Sequence, residues 1–275
     1  MPRQAEKGTL FRSLHERPGS FVIPNPWDVG SARLLAHVGF EALATTSAGF
    51  AFSLGLPDGN VTRDWKLAHC REIVQATELP VSADLEKCFA DEPAGVAETV
   101  RLAAQSGLVG CSVEDATGDP AKPIFEFDFA VERVRAAVEA ARALPFPFTL
   151  TARAENLLHG RKDMADTIKR LQAFEAVGAN VLYAPGLATL DEVREVISAV
   201  NKPVNVLVVA SSKGFSVESL AAAGVKRISV GGTLARVAYG AVLGAAQEMK
   251  DKGSFSFTFG GVSNKELGAI FSNWV

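Results

Sequence analysis

The sequence predicts an α/β protein folded as a single (β/α)8 TIM barrel with a C-terminal helical extension. Three observations carry this. Eight short apolar, β-rich runs recur along the chain, segments of helical period separate them, and the length of 275 residues suits one such unit. Near-continuous apolar strands alternating with amphipathic helices indicate a parallel sheet covered on its faces. An α/β barrel takes roughly 250 residues as one domain. No linker, low-complexity tract or shift of composition divides the chain, so residues 1–275 read as one domain.

In chain order, strands are expected at 21–24, 42–46, 81–85, 110–113, 148–152, 181–184, 204–208 and 228–230. Helices are expected between and after them at 31–37, 65–76, 95–104, 130–143, 165–176, 190–200, 217–222 and 234–249. Asp163, Thr189 and Ser216 stand where side chains cap helix N-termini, and Gly39, Gly107, Gly178 and Gly224 where helices stop. The segment 254–275 lies beyond the eighth helix, broken by Gly260-Gly261, with a further short helix expected from Lys265 onward. That extension has two readings, packing on its own barrel or on a neighbouring subunit.

Composition excludes several functions. Net charge is −3, so no basic surface is available for a nucleic acid backbone. No apolar run reaches the roughly 18 residues of a membrane span, and the polar N-terminus lacks a secretory h-region. Cys70, Cys88 and Cys111 are too scattered for a disulfide framework or a CxxC site. These features point to a soluble, cytoplasmic protein.

Barrel active sites lie at the C-terminal strand ends. The third expected strand ends in Asp84-Leu-Glu86, on one side of the strand by alternation. The fourth ends in Glu114-Asp115, and the fifth in Arg153-Ala-Glu155, with Asp58 in the loop after the second. Any one acid is more readily a helix cap or surface partner. Acids on three successive strands with an arginine among them instead call for a cation, and hard oxygen donors with few histidines suit Mg²⁺ or Mn²⁺. Thr45-Thr46-Ser47-Ala48-Gly49 offers a hydroxyl and backbone N–H groups to a carboxylate. Gly231-Gly232 reads as a tight turn rather than a phosphate cradle. Cys88 has no histidine near it in sequence and is a poor nucleophile; His37 and His69 fall within helices, and His159 reads as a solvated loop residue.

At these residues the chain resembles the isocitrate lyase/phosphoenolpyruvate mutase superfamily over nearly its whole length. The resemblance rests on Asn25-Pro-Trp-Asp28, Thr46-Ser-Ala-Gly49, Leu54-Gly-Leu-Pro-Asp58, Ala83-Asp-Leu-Glu86, Val113-Glu-Asp115 and Thr151-Ala-Arg-Ala-Glu155, in that order. It implies Asp84 as direct metal ligand, with Asp58, Glu86 and Glu114 holding Mg²⁺ through its waters. It implies that Ser47 and the amides of Ala48 and Gly49 grip a substrate carboxylate, and that Arg153 is catalytic, facing the 2-oxo oxygen. The implied reaction breaks the bond at C3 of a 2-oxo or 2-hydroxy acid through a metal-bound enolate. It also implies a homo-oligomer, dimer or tetramer, built by swapping the terminal helix.

The chain departs from the pattern at one loop. Isocitrate-type lyases carry a Lys-Lys/Arg-Cys-Gly-His loop after the fourth strand, whereas residues 116–124 here contain no cysteine or histidine. A longer gating loop with an asparagine, as in phosphoenolpyruvate mutases, is missing too. The expected activity is therefore a carbon–carbon lyase of the oxaloacetate decarboxylase or malate-lyase type. A phosphonopyruvate-type carbon–phosphorus enzyme and a non-catalytic 2-oxo acid binding protein are the alternatives.

Overall fold

The computed structural model describes residues 3–272 and 274, so Met1, Pro2, Asn273 and Val275 of the expected domain and its extension lie outside the described residues. Eight parallel strands alternate with helices: α1 (Gln4–Glu16), β1 (Phe21–Ile23), α2 (Val29–Val38), β2 (Leu43–Ala44), α3 (Ser47–Ser53), α4 (Arg63–Ala76), β3 (Val81–Ala83), α5 (Pro93–Gln105), β4 (Gly110–Glu114), α6 (Phe127–Arg142), β5 (Thr149–Arg153), α7 (Met164–Val177), β6 (Val181–Tyr183), α8 (Leu190–Ala199), β7 (Val204–Leu207), α9 (Val217–Ala222), β8 (Arg227–Ser229), α10 (Thr233–Lys252) and α11 (Asn264–Ser272). The strands pair in the order β1-β8-β7-β6-β5-β4-β3-β2. The ring nearly closes on itself, because the Ala44 N–H donates to Pro24 C=O across the remaining seam at 3.1 Å.

Punctuation read from sequence operates here. Asp163, Thr189 and Ser216 each accept a hydrogen bond from the helix they precede. Gly39 and Gly178 end α2 and α7 in the left-handed region, which costs glycine no side-chain clash.

Strand alternation sorts two cores. Outward residues such as Val81, Val113, Leu150, Leu182 and Val206 pack against Ile73, Val100, Val134, Leu171 and Val196 of the helix layer. Inward positions are more polar than near-continuous apolar strands imply: Ser82, Ser112, Thr151, Asn205, Arg227 and Ser229 are all buried. Several of them pair with one another, Arg227 Nε donating to Asn205 Oδ1 at 2.9 Å and Nη2 to Thr151 Oγ1 at 3.0 Å.

Helix α1 closes the N-terminal end of the barrel. Phe11 and Leu14 pack with Phe21, Ile23, Ala42 and Val109. Gln4 Nε2 donates to the carbonyls of Ala104 and Leu108, and Lys7 Nζ to that of Thr77. At the other end of the chain, α10 buries only Ala235 and exposes Val237, Val242 and Leu243. It packs on α3, while α11 lies against α2 of the same chain. Among the described residues no helix is long and apolar enough to cross a membrane.

Candidate active site

The strand ends that carry acids in the sequence meet around one guanidinium. Arg153, at the end of β5, donates from Nη1 to Asp84 Oδ1 at 2.7 Å and from Nε to Glu155 Oε1 at 2.7 Å, and its Nη2 lies 3.1 Å from Glu114 Oε2. The register places Glu114 and Arg153 side by side on β4 and β5. Asp84 also accepts from the Ser47 amide at 3.2 Å and from Ser112 Oγ at 3.3 Å. Above Arg153 opens a cavity of about 520 Å³ lined by Ser47, Asp58, Glu86, Glu114, Glu155 and His159, among others.

Two local devices shape the rim. Thr46 caps α3, accepting from the Gly49 amide at 3.2 Å, so the expected 42–46 strand stops at Ala44 and the Ser-Ala-Gly segment is the first turn of a helix. The Gly49 amide is thus already engaged, which corrects its expected share in a carboxylate grip; the Ser47 hydroxyl and the Ala48 amide remain the candidates. A Cβ at Gly49 would lie 2.5 Å from Thr46 Cγ2 and 2.9 Å from Trp27 Cβ, so only glycine fits.

The second device is the loop after β3. Glu86, Cys88 and Phe89 all take positive φ, at 52°, 61° and 54°. Non-glycine residues rarely adopt this conformation unless their surroundings impose it. Here the buried Arg133 of α6 imposes it, donating to the carbonyls of Lys87, Ala90, Asp91 and Glu114 at 2.7–3.0 Å.

Electrostatics follow from burial and crowding. Burial alone would raise the Asp84 carboxyl, but Arg153, Lys66 and Ser47 outweigh it and hold the group below its ordinary range. Glu86 is pushed up to about 7 by burial and by the charges of Asp84 and Asp58. Asp58 is raised for the same reasons, burial first and then Asp84. Glu114 is raised well above the usual range by burial, with Glu155, Asp84 and Glu86 adding to it and only Arg153 opposing. Among the described residues no three acidic, histidine or cysteine side chains converge closely enough to enclose a metal ion, because the guanidinium sits among Asp84, Glu114 and Glu155.

The structure gathers Ser47, Asp58, Asp84, Glu86, Glu114 and Arg153 at one mouth, with Ala48 following Ser47 in the first turn of α3. Cys88 is buried, its thiol pushed up to about 12 by burial, and it is no nucleophile. Sequence reasoning missed Lys66, whose buried Nζ donates to Thr46 C=O at 3.1 Å beneath the acids. The available signal was a lysine on the buried face of α4, one turn from His69 and Cys70. It also gave no role to Glu155, which alternates with Arg153, or to Asp115, which accepts from Arg170 and the Glu155 amide.

The fold is a (β/α)8 barrel, and the acids and Arg153 cluster at the C-terminal ends of its strands. Residues 11–250 match the family model described as phosphoenolpyruvate phosphomutase. A crystal structure from Burkholderia cenocepacia J2315, provisionally described as a lyase/mutase, is 58% identical, covers 98% of this chain and 96% of its own, and superposes with a TM-score of 0.96. The 2-methylisocitrate lyase of Escherichia coli K12 is 31% identical over 205 residues, 72% of this chain and 68% of its own. The structure of 2,3-dimethylmalate lyase is 27% identical with a TM-score of 0.85, covering 98% of this chain and 95% of its own. The chain belongs to the phosphoenolpyruvate phosphomutase family and thereby to the isocitrate lyase/phosphoenolpyruvate mutase superfamily of lyases.

Proposed function

We propose that the protein is a Mg²⁺-dependent carbon–carbon lyase acting on a small 2-oxo or 2-hydroxy dicarboxylate, of the oxaloacetate decarboxylase or malate-lyase type. One observation carries the reading: the acids Asp58, Asp84, Glu86, Glu114 and Glu155 share a mouth and outnumber Arg153, Lys66 and Lys87, the cations placed beside them. That excess of negative charge adds to burial in raising Glu86 and Asp58, and a divalent cation relieves the repulsion. An all-oxygen donor set suits Mg²⁺ or Mn²⁺, so the residues present fit the ion. Asp84, with Asp58, Glu86 and Glu114 around it, would hold it. When bound, Mg²⁺ supplies Lewis-acid stabilisation of negative charge on a substrate oxygen.

The chain's own groups provide the rest. The Ser47 hydroxyl and the Ala48 amide hold a substrate carboxylate at the N-terminus of α3, where the helix end favours an anion. Arg153, fixed by three carboxylates, presents its guanidinium to the oxygen on which charge develops as the C3 bond breaks. Loop 116–124 folds tightly on itself, with Ala116 bridged to Ile124 and the Thr117 amide donating to Pro123 C=O at 2.9 Å. It carries no cysteine or histidine to protonate the product, its one carboxylate, Asp119, is turned onto the Ala121 amide of the loop itself at 2.9 Å, and water supplies that proton. Two relatives are named as lyases of 2-methylisocitrate and 2,3-dimethylmalate, which supports a substrate of the same broad kind.

Purified protein with Mg²⁺ is to be incubated with oxaloacetate, substituted malates and phosphonopyruvate. Turnover of a dicarboxylate supports the proposal, and turnover of phosphonopyruvate alone replaces it with carbon–phosphorus cleavage. No turnover, with pyruvate or 2-oxoglutarate still raising the melting temperature, makes the protein a binder. Asp84→Ala is expected to abolish Mg²⁺-dependent stabilisation by a 2-oxo acid, and its retention overturns the metal assignment. The quaternary part of the proposal is a homo-oligomer assembled through α10, α11 and the segment between them, whose apolar surface includes Val242 and Leu243 of α10 and the intervening Phe259, the last 92% exposed.

A further inference from the structure

Helix α4 carries a lysine in the stripe it turns toward the core. Lys66, Cys70 and Ile73 recur at helical spacing on its buried face, and Lys66 is only 1% exposed. Its Nζ donates to the Thr46 carbonyl at 3.1 Å and lies 5.7 Å from the centroid of the Phe50 ring. Among the described residues it forms no ion pair. An ammonium out of water, with one neutral acceptor and no carboxylate against it, is costly. An aliphatic side chain of similar length would fill the stripe without that cost, so packing alone does not account for the charge.

The segment that Lys66 holds is the one that grips Asp84. The Ser47 amide donates to Asp84 Oδ2 at 3.2 Å, and the Asp84 amide donates to Thr45 Oγ1 at 3.2 Å. Thr46 between them caps α3, whose first turn carries the Ser47 hydroxyl and the Ala48 amide. Lys66 therefore adjoins both the acids and the carboxylate grip through three consecutive residues. Burial works against the charged forms of Asp58, Asp84 and Glu86, and the Lys66 ammonium opposes it at each of the three. A fixed positive charge so placed draws an anion toward the grip and repels a cation from the acids by the same field.

We propose that Lys66 is a positioning residue whose buried charge sets the balance of the mouth, strengthening its hold on the anionic substrate and moderating its hold on the divalent cation. The inference rests on the reading of Asp58, Asp84, Glu86 and Glu114 as metal-holding, and not on which bond the enzyme breaks. It gives Lys66 opposite effects on two ligands, which a lysine that only fills space or fastens α3 does not have.

The test is titration calorimetry on the full chain, first with Mg²⁺ alone and then with pyruvate at saturating Mg²⁺. Lys66→Met removes the charge and the hydrogen bond, while Lys66→Gln removes the charge and keeps an N–H for the Thr46 carbonyl. Both variants are expected to bind Mg²⁺ more tightly and pyruvate more weakly, each on the order of tenfold. Mg²⁺ affinity unchanged or lowered in both variants, with the wild type binding both ligands, overturns the role of Lys66 alone. Wild-type affinities in Lys66→Gln, with changes only in Lys66→Met, assign the effect to the hydrogen bond and overturn it too. A wild type that takes up no Mg²⁺ overturns the metal reading and this inference with it. Should Lys66→Met fail to fold, Lys66→Gln decides.

Discussion

Replacing Arg133 by methionine tests how the site loop is held. The side chain gives four hydrogen bonds to carbonyls of two segments, Lys87, Ala90 and Asp91 on the loop after β3 and Glu114 at the end of β4. It also stacks on Phe125 with its Cζ 4.2 Å from the ring centroid. Hydrogen bonds from a charged donor contribute about 1.5–3 kcal/mol each, and a carbonyl left buried and unpaired costs about 1–3 kcal/mol. Offsetting this, methionine spares the desolvation of a guanidinium that has no carboxylate partner. The net loss is therefore about 3–5 kcal/mol. Much of it should appear locally, because Glu86, Cys88 and Phe89 each store on the order of 1–2 kcal/mol in the left-handed region, which the loop sheds once released. Urea denaturation reads the global loss, and amide hydrogen exchange over residues 85–92 reads the loop. Arg133→Lys should behave almost as badly, since one ammonium cannot span four carbonyls. A loss below about 1 kcal/mol with unchanged exchange would refute the clamp.

Three further expectations follow from geometry already given. Gly49→Ala should lower stability by about 1–3 kcal/mol through overpacking against Thr46 and Trp27 and weaken 2-oxo acid binding, read by melting temperature with and without ligand; an unaltered ligand response argues against α3 as the carboxylate grip. His15 is driven down to about 3, first by burial and then by the charge of Arg227. Its folded-state pKa lies below the unfolded value near 6.5, so its contribution is intact above that pH and is lost as pH falls toward 3, reaching about 2 kcal/mol at pH 5. His15→Leu should flatten the stability profile between pH 7 and 5 by that amount, and an unchanged slope excludes the imidazole as its source. Truncation before Ser263 should reduce the oligomer mass seen by light scattering, while an unchanged mass confines assembly to other surfaces.

The barrel was legible because strand and helix periods differ and because cap residues punctuate them. The acids were legible for a related reason: Asp84, Glu86, Glu114 and Arg153 stand at strand ends, where alternation fixes the side they face. What escaped was set by partners distant in sequence. Nothing local in 4–16 says that α1 stoppers the barrel floor, since Phe11 and Leu14 find their neighbours on β1 and before β4. Arg133 looks like any helical arginine until α6 is laid against the β3 loop. The strand expected over 42–46 was cut short because a threonine hydroxyl serves a helix better than a ladder. The Gly49 amide, expected to face substrate, is consumed by that same cap.

The floor formed by α1 has a kinetic consequence. With Phe11 and Leu14 sealing the end where β1 begins, the interior is a flask with one neck. Water in the interior cavity that Arg227 borders meets Asp84 and Arg153 on its way to the mouth, through the space a substrate fills. Anything seated at the neck therefore lengthens the residence time of whatever lies below it.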